Sequence, residues 1–244
     1  MKESNKIAGK VAAIETMGLV DGPGIRTVVF LQGCPLRCLY CHNPEMQELE
    51  SENAKEYTPS QIVDLLKRYK SYYKDSGGVT FSGGEPLVQK DFLIECLKLC
   101  KKEKIHTAVD TSGAVCDCAE ILDFVDLVIL DVKACTAEEF ANITGGKIEN
   151  LHKFLHLCMQ KNKKLWIRQV VVPKVNDNKE QIKMLADFLK YIKGIEKIEL
   201  LPYHTMAKEK YKKLGRNYAL ENVPDMDEER CKDLENELKQ LLKF

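Results

Sequence analysis

Three cysteines near the N-terminus, Cys34, Cys38 and Cys41, are spaced C-x3-C-x2-C. Three close thiolates can bind three corners of a metal cluster, whereas an iron–sulfur cluster that only transfers electrons normally takes four cysteines. A structural zinc site also closes with four ligands. The next cysteine after Cys41 is Cys96, so the spacing leaves one corner of a cluster open and predicts chemistry at the metal. A zinc knuckle completed by His42 or a remote cysteine is the alternative.

The strands that must position these cysteines are visible as short apolar runs. Continuous apolar stretches are typical of parallel strands buried on both faces. They predict six strands, at residues 27–31, 79–82, 106–110, 127–131, 165–172 and 197–201. Six strand–helix units indicate an α/β fold with a parallel sheet. A closed barrel of this kind requires eight such units, so six are too few. Periodicity alone does not separate an open barrel from a doubly wound sheet. We expect one domain over residues 1–244.

Helices between the strands have readable starts. Thr58, Pro59 and Gln61 form a capping box with proline in the first helical position, and Asn178 with Gln181 begins a second helix. A last helix is predicted at about residues 226–242, after Pro224 and Asp225. The residues expected on the buried faces of these three helices are Ile62, Leu65, Leu66 and Tyr69; Ile182, Leu185, Ala186 and Leu189; and Cys231, Leu234, Leu238 and Leu241.

Polar residues or glycines follow the predicted strands. The carboxyl ends of parallel strands gather on one rim, where active sites assemble. We therefore expect an active site at this rim, although any one of these residues alone is more often a turn, a helix cap or a core residue. They are Gly83, Gly84, Glu85, Asp110, Thr111, Asp131, Lys133 and His204, with Arg168 inside the fifth strand.

Composition excludes several classes of protein. The 244 residues carry 37 Lys and Arg against 37 Asp and Glu, which argues against nucleic acid or an anionic membrane as the main partner. No stretch approaches the roughly 20 apolar residues of a membrane span. The first ten residues, MKESNKIAGK, lack the apolar core of a secretory signal. Ten cysteines without such a signal indicate a reducing cytoplasm.

Taken together, the motifs resemble a known family. The run CPLRCLYC at residues 34–41 is similar to the cluster motif of radical S-adenosylmethionine (SAM) enzymes. The preceding DGPGIR at residues 21–26 and the following HNP at residues 42–44 resemble the glycyl-radical-enzyme activases, in particular those that act on pyruvate formate-lyase. Further similar blocks are SGGEP (82–86), DVK (131–133), WIR (166–168) and LLPYH (200–204). The resemblance covers nearly the whole chain.

This resemblance implies a fold and a set of cofactors. The fold would be an incomplete (β/α)6 barrel, similar to a TIM barrel and open on one side. One 4Fe–4S cluster would be bound by the three cysteines of the loop at residues 34–41. The chain has no cysteine-rich insertion between Cys41 and Gly83, so a second cluster is not expected. The other cysteines, among them Cys96, Cys100, Cys116 and Cys118, are interpreted as structural.

The resemblance also implies roles for the site residues. Tyr40 would lie near the adenine of SAM, with the backbone around Cys41 and His42 contacting the nucleoside. The segment Gly83, Gly84 and Glu85 would hold the methionyl amino group. Lys133 would add positive charge near the SAM carboxylate, and Val132 and His204 would contact SAM. Arg168 would pair with a carboxylate of the rim. Asp110, Thr111 and Asp131 would supply oxygen ligands for a monovalent cation. This cation would contact the SAM carboxylate.

The activity implied is reductive cleavage of SAM to methionine and a 5′-deoxyadenosyl radical, which takes a hydrogen atom from a backbone glycine of pyruvate formate-lyase. A flavodoxin or ferredoxin would donate the electron. The turn at residues 21–24 would recognise the glycine loop of the partner. Activation of a different glycyl radical enzyme, or a zinc-stabilised binding module, remains the alternative.

Overall fold

The computed structural model describes residues 7–115 and 117–244, and within them eight strands form one sheet. In chain order they are β1 (Gly9–Gly18), β2 (Arg26–Leu31), β3 (Lys55–Tyr57), β4 (Gly78–Gly83), β5 (His106–Thr111), β6 (Leu127–Asp131), β7 (Lys164–Val171) and β8 (Ile195–Pro202). Their spatial order is β3-β1-β2-β4-β5-β6-β7-β8. Cys116 and residues 1–6 lie outside the described residues.

The six predicted strands correspond to β2 and β4–β8, which pair in parallel. The sheet is open, with β3 and β8 at its two edges, so the predicted α/β fold with an incomplete parallel barrel is confirmed. The sequence missed β1 and β3, which pair antiparallel at one side of the sheet. Strand β1 has only two buried positions, Gly9 and Val11, and its continuous apolar run covers only residues 11–14, so it does not have the pattern of a strand buried on both faces.

Helices connect the parallel strands. They are α1 (Pro59–Tyr73), α2 (Lys90–Lys102), α3 (Ala119–Leu122), α4 (Ala137–Thr144), α5 (Ile148–Gln160), α6 (Lys179–Leu189), α7 (Lys208–Lys213) and α8 (Glu228–Leu242). Both predicted starts are confirmed: Thr58 forms a capping box with Gln61, and the Asn178 side chain accepts a hydrogen bond from the backbone of Gln181. None of the described helices is long and apolar enough to cross a membrane.

The last helix begins two residues later than predicted. Its N-cap is Asp227, whose carboxylate accepts from the backbone N–H of Arg230 at 2.7 Å. Asp225 instead accepts from the backbone N–H of Thr205 at 2.6 Å. The prediction that Leu241 is buried is wrong: its side chain is 51% exposed, so the apolar face of α8 ends one turn earlier.

The two faces of the sheet have different environments. Successive side chains of a strand point to opposite faces. Val128 and Leu130 of β6 belong to the large core beneath the helices, whereas Leu127 and Ile129 belong to a separate small apolar cluster on the inner face. Asp131 continues this inner row at the carboxyl end of β6. The inner face is therefore apolar in its middle and charged at the rim.

Candidate functional site

The three cysteines lie on a loop that follows β2 and is held at both ends by backbone hydrogen bonds. The N–H of Cys34 donates to the carbonyl of Gln47 at 2.8 Å. Farther along the loop, the N–H groups of Arg37 and Leu39 donate to carbonyls at the end of α4, at 2.8 and 2.9 Å. These bonds fix the direction of the loop, so that all three cysteines line one cavity.

The cavity has a volume of about 270 Å³ and opens at the carboxyl ends of the parallel strands. The loop and five strands meet there, as the positions of the polar residues predicted. Of the predicted site residues, the lining includes Cys34, Cys38, Tyr40, Cys41, His42, Gly83, Gly84, Asp110, Thr111, Asp131 and Lys133. Glu85, Val132, Arg168 and His204 do not line the cavity. The lining also includes Asn43, Gln47, Ser82 and Ser112, which were not predicted.

The cysteine thiols fit a polynuclear cluster better than a single ion. Burial raises the pKa of Cys34 to about 12 and that of Cys38 to about 11, so these thiols become thiolates only with a metal to bind them. Within the described residues, no three His, Cys, Asp or Glu side chains are placed to hold one metal ion. A tetrahedral zinc site requires such a group, whereas a cluster takes one thiolate at each of several irons. Three thiols that face a common cavity are suited to a cluster.

An ion pair lies beside the cysteines. Lys133 Nζ donates to Asp131 Oδ2 and lies 5.3 Å from the centroid of the Tyr40 ring. Burial by itself would lower the pKa of Lys133, but the Asp131 carboxylate and neighbouring acidic groups raise it well above its usual value. Asp131 Oδ1 and the Tyr40 hydroxyl are buried with no hydrogen-bond partner. Buried polar atoms are normally satisfied, so these two atoms are available for hydrogen bonds to a polar ligand.

A second carboxylate, Asp110, lies on the neighbouring strand. Its Oδ2 accepts a hydrogen bond from Ser82 Oγ at 2.9 Å. Burial raises the pKa of Asp110 to about 6, against the opposing effect of the Arg168 charge. A cation ligand would remove this desolvation penalty by stabilising the ionised form. The Thr111 hydroxyl is already engaged, because it donates to Glu85 Oε1 at 2.6 Å and accepts from the N–H of Gly113 at 3.0 Å.

Glu85 lies behind the cavity wall, only 1% exposed. Its carboxylate accepts from Thr111 Oγ1 and Ser112 Oγ, each at 2.6 Å, and from the N–H of Ser112 at 3.0 Å. Burial raises its pKa, and these hydrogen bonds oppose the shift. Both carboxylate oxygens are therefore used to join the end of β4 to the end of β5. The side chain positions the rim and does not face the cavity.

The glycine pair before Glu85 is required for close backbone packing. Gly83 has a φ of +117°, and a Cβ there would lie 2.3 Å from the backbone N of Leu31. A Cβ at Gly84 would lie 2.3 Å from the carbonyl oxygen of Gly33. No side chain fits at either position. The two glycines thus bring β4 against the base of the cysteine loop, and they also line the cavity.

Two histidines stack at the cavity mouth. The rings of His42 and His204 have centroids 3.9 Å apart, and His42 Nε2 lies 3.1 Å from the carbonyl oxygen of His204. Burial and the neighbouring His204 ring lower the pKa of His42 to about 4, so the His42 ring is neutral near pH 7. His204 Nδ1 is buried without a partner.

Arg168 lies in the strand below the rim and links the sheet to the turn at residues 18–25. It donates to Glu199 Oε2 at 3.1 Å and to the carbonyl of Val20. Its own carbonyl accepts from the N–H of Val132 at 2.7 Å, and the Val132 side chain is fully buried in the core. Arg168 and Val132 thus shape the site from beneath. No local sequence pattern indicates the contact with Val20, because 148 residues separate it from Arg168.

The same turn is anchored by Arg26, whose role was also not predicted. This arginine is 0% exposed and donates to Thr80 Oγ1 at 2.6 Å, to the carbonyl of Val79 at 2.5 Å and to the carbonyl of Pro23 at 3.1 Å. Thr80 Oγ1 in turn donates to the carbonyl of Asp21 at 2.5 Å. Burial raises the pKa of the Asp21 carboxyl, and the charges of Arg168 and Arg26 oppose this shift. The turn is therefore attached to the inner face of the sheet.

Comparison with known proteins agrees with this site. Residues 28–189 match the model of the radical SAM superfamily. The chain is 48% identical over 238 residues to the pyruvate formate-lyase-activating enzyme of Clostridium pasteurianum, covering 97% of this chain and 99% of that protein. The enzyme of the same name from Staphylococcus epidermidis is 40% identical, covering 93% and 94% of the two chains. A crystal structure of a domain of pyruvate-formate lyase-activating enzyme from Bacteroides vulgatus superposes with a TM-score of 0.54 at 29% identity, over 68% of this chain and 93% of that one.

Proposed function

The chain belongs to the radical SAM superfamily and, within it, to the pyruvate formate-lyase-activating enzymes, and we propose from this premise that it installs a glycyl radical in pyruvate formate-lyase. A 4Fe–4S cluster together with SAM supplies the reductive cleavage to methionine and a 5′-deoxyadenosyl radical, which removes a hydrogen atom from a backbone glycine of the lyase. One observation carries the proposal: three cysteines of one loop face the same cavity as the polar carboxyl ends of β4, β5 and β6.

In this proposal Cys34, Cys38 and Cys41 bind the cluster and leave one iron without a protein ligand. Their thiols are held in a partly buried loop whose backbone is bonded to the carbonyl of Gln47 and to the end of α4. The chain's part in the chemistry is to position the reactants and to exclude water, because the cofactors carry the difficult steps.

SAM binds in the cavity beside these cysteines. The unpartnered Tyr40 hydroxyl and Asp131 Oδ1, together with the Lys133 ammonium, offer polar contacts of both signs. The backbone of Gly83 and Gly84 lines the same wall and is accessible because neither residue has a side chain. Glu85 supports this wall through Thr111 and Ser112. His42 lines the cavity, and the His204 ring packs against it.

A monovalent cation has two candidate carboxylate ligands, Asp110 and Asp131. Both lie on the inner face at the ends of adjacent strands and line the cavity. Because the Thr111 hydroxyl is already engaged on both sides, we assign a Thr111 contact to its carbonyl oxygen. The positive charge of the cation would stabilise the ionised Asp110, which burial otherwise disfavours.

The remaining assignments concern the setting of the reaction. We assign the turn at residues 21–24 to recognition of the glycine loop of the lyase, because Arg26 donates to the carbonyl of Pro23 and Arg168 holds the adjoining Val20 at the site. A flavodoxin or ferredoxin supplies the electron, the enzyme works in the cytoplasm, and residues 1–244 form one domain. The zinc-module alternative receives no support from the relatives or from the placement of the thiols.

The test is anaerobic reconstitution with iron and sulfide, followed by electron paramagnetic resonance with SAM, a chemical reductant and purified pyruvate formate-lyase. We expect a cluster signal that changes on addition of SAM, and then a glycyl radical signal in the lyase. Replacement of Cys38 by Ala should remove both signals and lower the bound iron. An intact cluster that cleaves SAM but gives no glycyl signal would reject pyruvate formate-lyase as the partner and favour a different glycyl radical enzyme.

A further inference from the structure

A strongly basic segment at residues 208–216, which includes α7, lies next to the cysteine loop. Its sequence, KEKYKKLGR, contains five basic residues and one acidic residue. The chain as a whole has a formal net charge of zero, so this local excess of positive charge is not a property of the entire surface. Such a patch attracts a partner of opposite charge.

Hydrogen bonds connect this segment to the cysteine loop through Gln47. Arg216 Nη1 donates to Gln47 Oε1 at 3.0 Å, and the backbone carbonyl of Gln47 accepts from the N–H of Cys34 at 2.8 Å. Gln47 also lines the cavity. Two hydrogen bonds therefore lead from an exposed guanidinium to the backbone of a proposed cluster ligand. Among the described residues this is a short route from solvent to the cluster site.

A second arginine, within the cysteine motif, belongs to the same surface. Arg37 Nη1 donates to the carbonyl of Cys34 at 2.7 Å, and Arg37 Nη2 lies 2.9 Å from Glu48 Oε1. Arg216 Nη2 lies 3.9 Å from the same Glu48 oxygen. The two guanidinium groups thus flank Cys34 and share one carboxylate, so the surface keeps a positive charge beside the cluster loop.

The outer part of the surface carries charge that no protein group neutralises. Lys212 and Lys213 are exposed, and neither has a carboxylate within 4 Å among the residues that the structure describes. Leu214, next to them, is 42% exposed, and Leu49, which follows Glu48, is 43% exposed. Apolar side chains among unpaired positive charges are typical of a small protein-docking surface.

We propose that this surface, defined as Arg37, Lys212, Lys213, Leu214 and Arg216 and called the donor face, docks an acidic one-electron carrier protein. The inference rests on the proposed function, because that reaction consumes one electron for each SAM. One electron leaves the reduced flavin or iron–sulfur centre of the carrier and enters the cluster held by the cysteine loop, with no bond made or broken. Electron-transfer encounters use small, charge-complementary interfaces, which matches an area of this size and sign.

The donor face is distinct from the turn that we assign to the lyase. That turn is attached to Arg168 and Arg26 on the inner face of the sheet, whereas the donor face is built on the segment after β8 and on the loop after β2. A carrier and the lyase would thus meet the enzyme at different surfaces. Charge reversal on the donor face should slow reduction by the carrier without affecting radical transfer to the lyase.

The experiment uses the reconstituted holoenzyme and the double variant Lys212→Glu/Lys213→Glu. Anaerobic stopped-flow absorbance measures cluster reduction by a reduced flavodoxin at several salt concentrations. We expect reduction at low salt to slow at least about tenfold and its dependence on salt to weaken, because electrostatic steering is lost. The matched control is Lys101→Glu/Lys102→Glu. These lysines lie in the last turn of α2, just before β5 begins and therefore at the amino ends of the strands, away from the rim. This control should behave like the unmodified enzyme.

Two further measurements make the outcome decisive. Reduction by dithionite, which needs no docking, should be unchanged in the double variant, as should the glycyl radical formed in the lyase with a chemical reductant. Unaltered rates and salt dependence with the flavodoxin would overturn the proposal. An equal loss of rate with dithionite would also overturn it, because that result would indicate a damaged cluster loop. A loss of the glycyl radical with normal reduction by flavodoxin would overturn it too, because that result would assign this surface to the lyase. Failure of the unmodified enzyme to activate the lyase would reject the proposed function, while the rates of cluster reduction would still decide on the donor face.

Discussion

Replacement of Arg26 by Met should release the turn at residues 18–25 while leaving most of the fold intact. The guanidinium is fully buried and has only uncharged acceptors in hydrogen-bond contact. Methionine fills much of the same volume and provides no donor. The turn would lose the hydrogen bond that Arg26 donates to the carbonyl of Pro23. Thr80, which donates to the carbonyl of Asp21, would lose the guanidinium that fixes its hydroxyl.

The structure sets the size of this effect. A hydrogen bond from a charged donor contributes up to about 3 kcal/mol, so opening of the turn should become easier by as much as a factor of about one hundred. Global stability should change much less. Burial lowers the pKa of Arg26 from its usual value to about 10, which corresponds to a cost of about 3 kcal/mol for keeping the charge buried. Removal of that charge offsets most of the lost hydrogen bonds.

Limited proteolysis with thermolysin measures local opening, because this protease cuts beside large apolar residues. Leu19 and Val20 are 72% and 74% exposed, yet cleavage requires that the turn leave the sheet. We expect cleavage at these residues to accelerate about a hundredfold in the Arg26→Met variant, with a melting temperature lowered by less than about 6 °C. Arg68→Met, on the exposed face of α1, is the control and should change neither quantity.

Two results would refute this reasoning. If cleavage at Leu19 and Val20 is unchanged, the Arg26 hydrogen bonds do not hold the turn. If the melting temperature falls by 15 °C or more, corresponding to about 5 kcal/mol, Arg26 stabilises the whole fold and the offset by desolvation is wrong.

Three further predictions test the packing and the pH dependence. Gly84→Ala places a Cβ 2.3 Å from the backbone carbonyl oxygen of Gly33. It should lower the melting temperature by about 10 °C, since overpacking costs about 3 kcal/mol. An unchanged melting temperature would show that the two backbone segments separate easily. Leu238→Ala should lower the free energy of unfolding, measured in urea, by about 3 kcal/mol because this side chain is fully buried. Leu241→Ala should change it by no more than about 0.5 kcal/mol. Equal losses would contradict the observed orientation of α8. Burial lowers the pKa of His42 from 6.5 to about 4, so the folded state binds fewer protons than the unfolded state between these values, and stability is lost as the pH falls from 6.5 to 4. His42→Asn should flatten a plot of melting temperature against pH in this window, and an unchanged slope would exclude His42 as its cause.

The sequence predicted the parts of the fold that depend on local patterns. The six parallel strands are buried apolar runs, and the helices at Thr58 and Asn178 begin with caps that need only four residues to be recognised. Placement of Asp110 and Asp131 near the cysteines followed from the general rule that parallel strands end on one rim. Strand β1 was missed because most of its side chains are at least partly exposed, and Leu241 was misplaced because a helical pattern does not show where its packing partner ends.

The orientation of individual side chains could not be predicted. Glu85 was expected to contact SAM, but its carboxylate bonds Thr111 and Ser112, which lie 26 and 27 residues farther along the chain. No structural role was predicted for Arg26, which is fully buried. Such contacts depend on which strands become neighbours, and no spacing within a single segment encodes that. The roles assigned to the site residues therefore stay predictions until the reconstituted enzyme is measured.

The bond between Arg216 and Gln47 joins positions 169 residues apart, and this has a consequence for how the protein matures. During synthesis the cysteine loop emerges early, but the arginine that braces it emerges only near the end of translation. Iron and sulfide delivered to a nascent chain would meet thiols on an unbraced loop. Cofactor loading should therefore follow release from the ribosome, and chains that end before residue 216 should retain iron poorly.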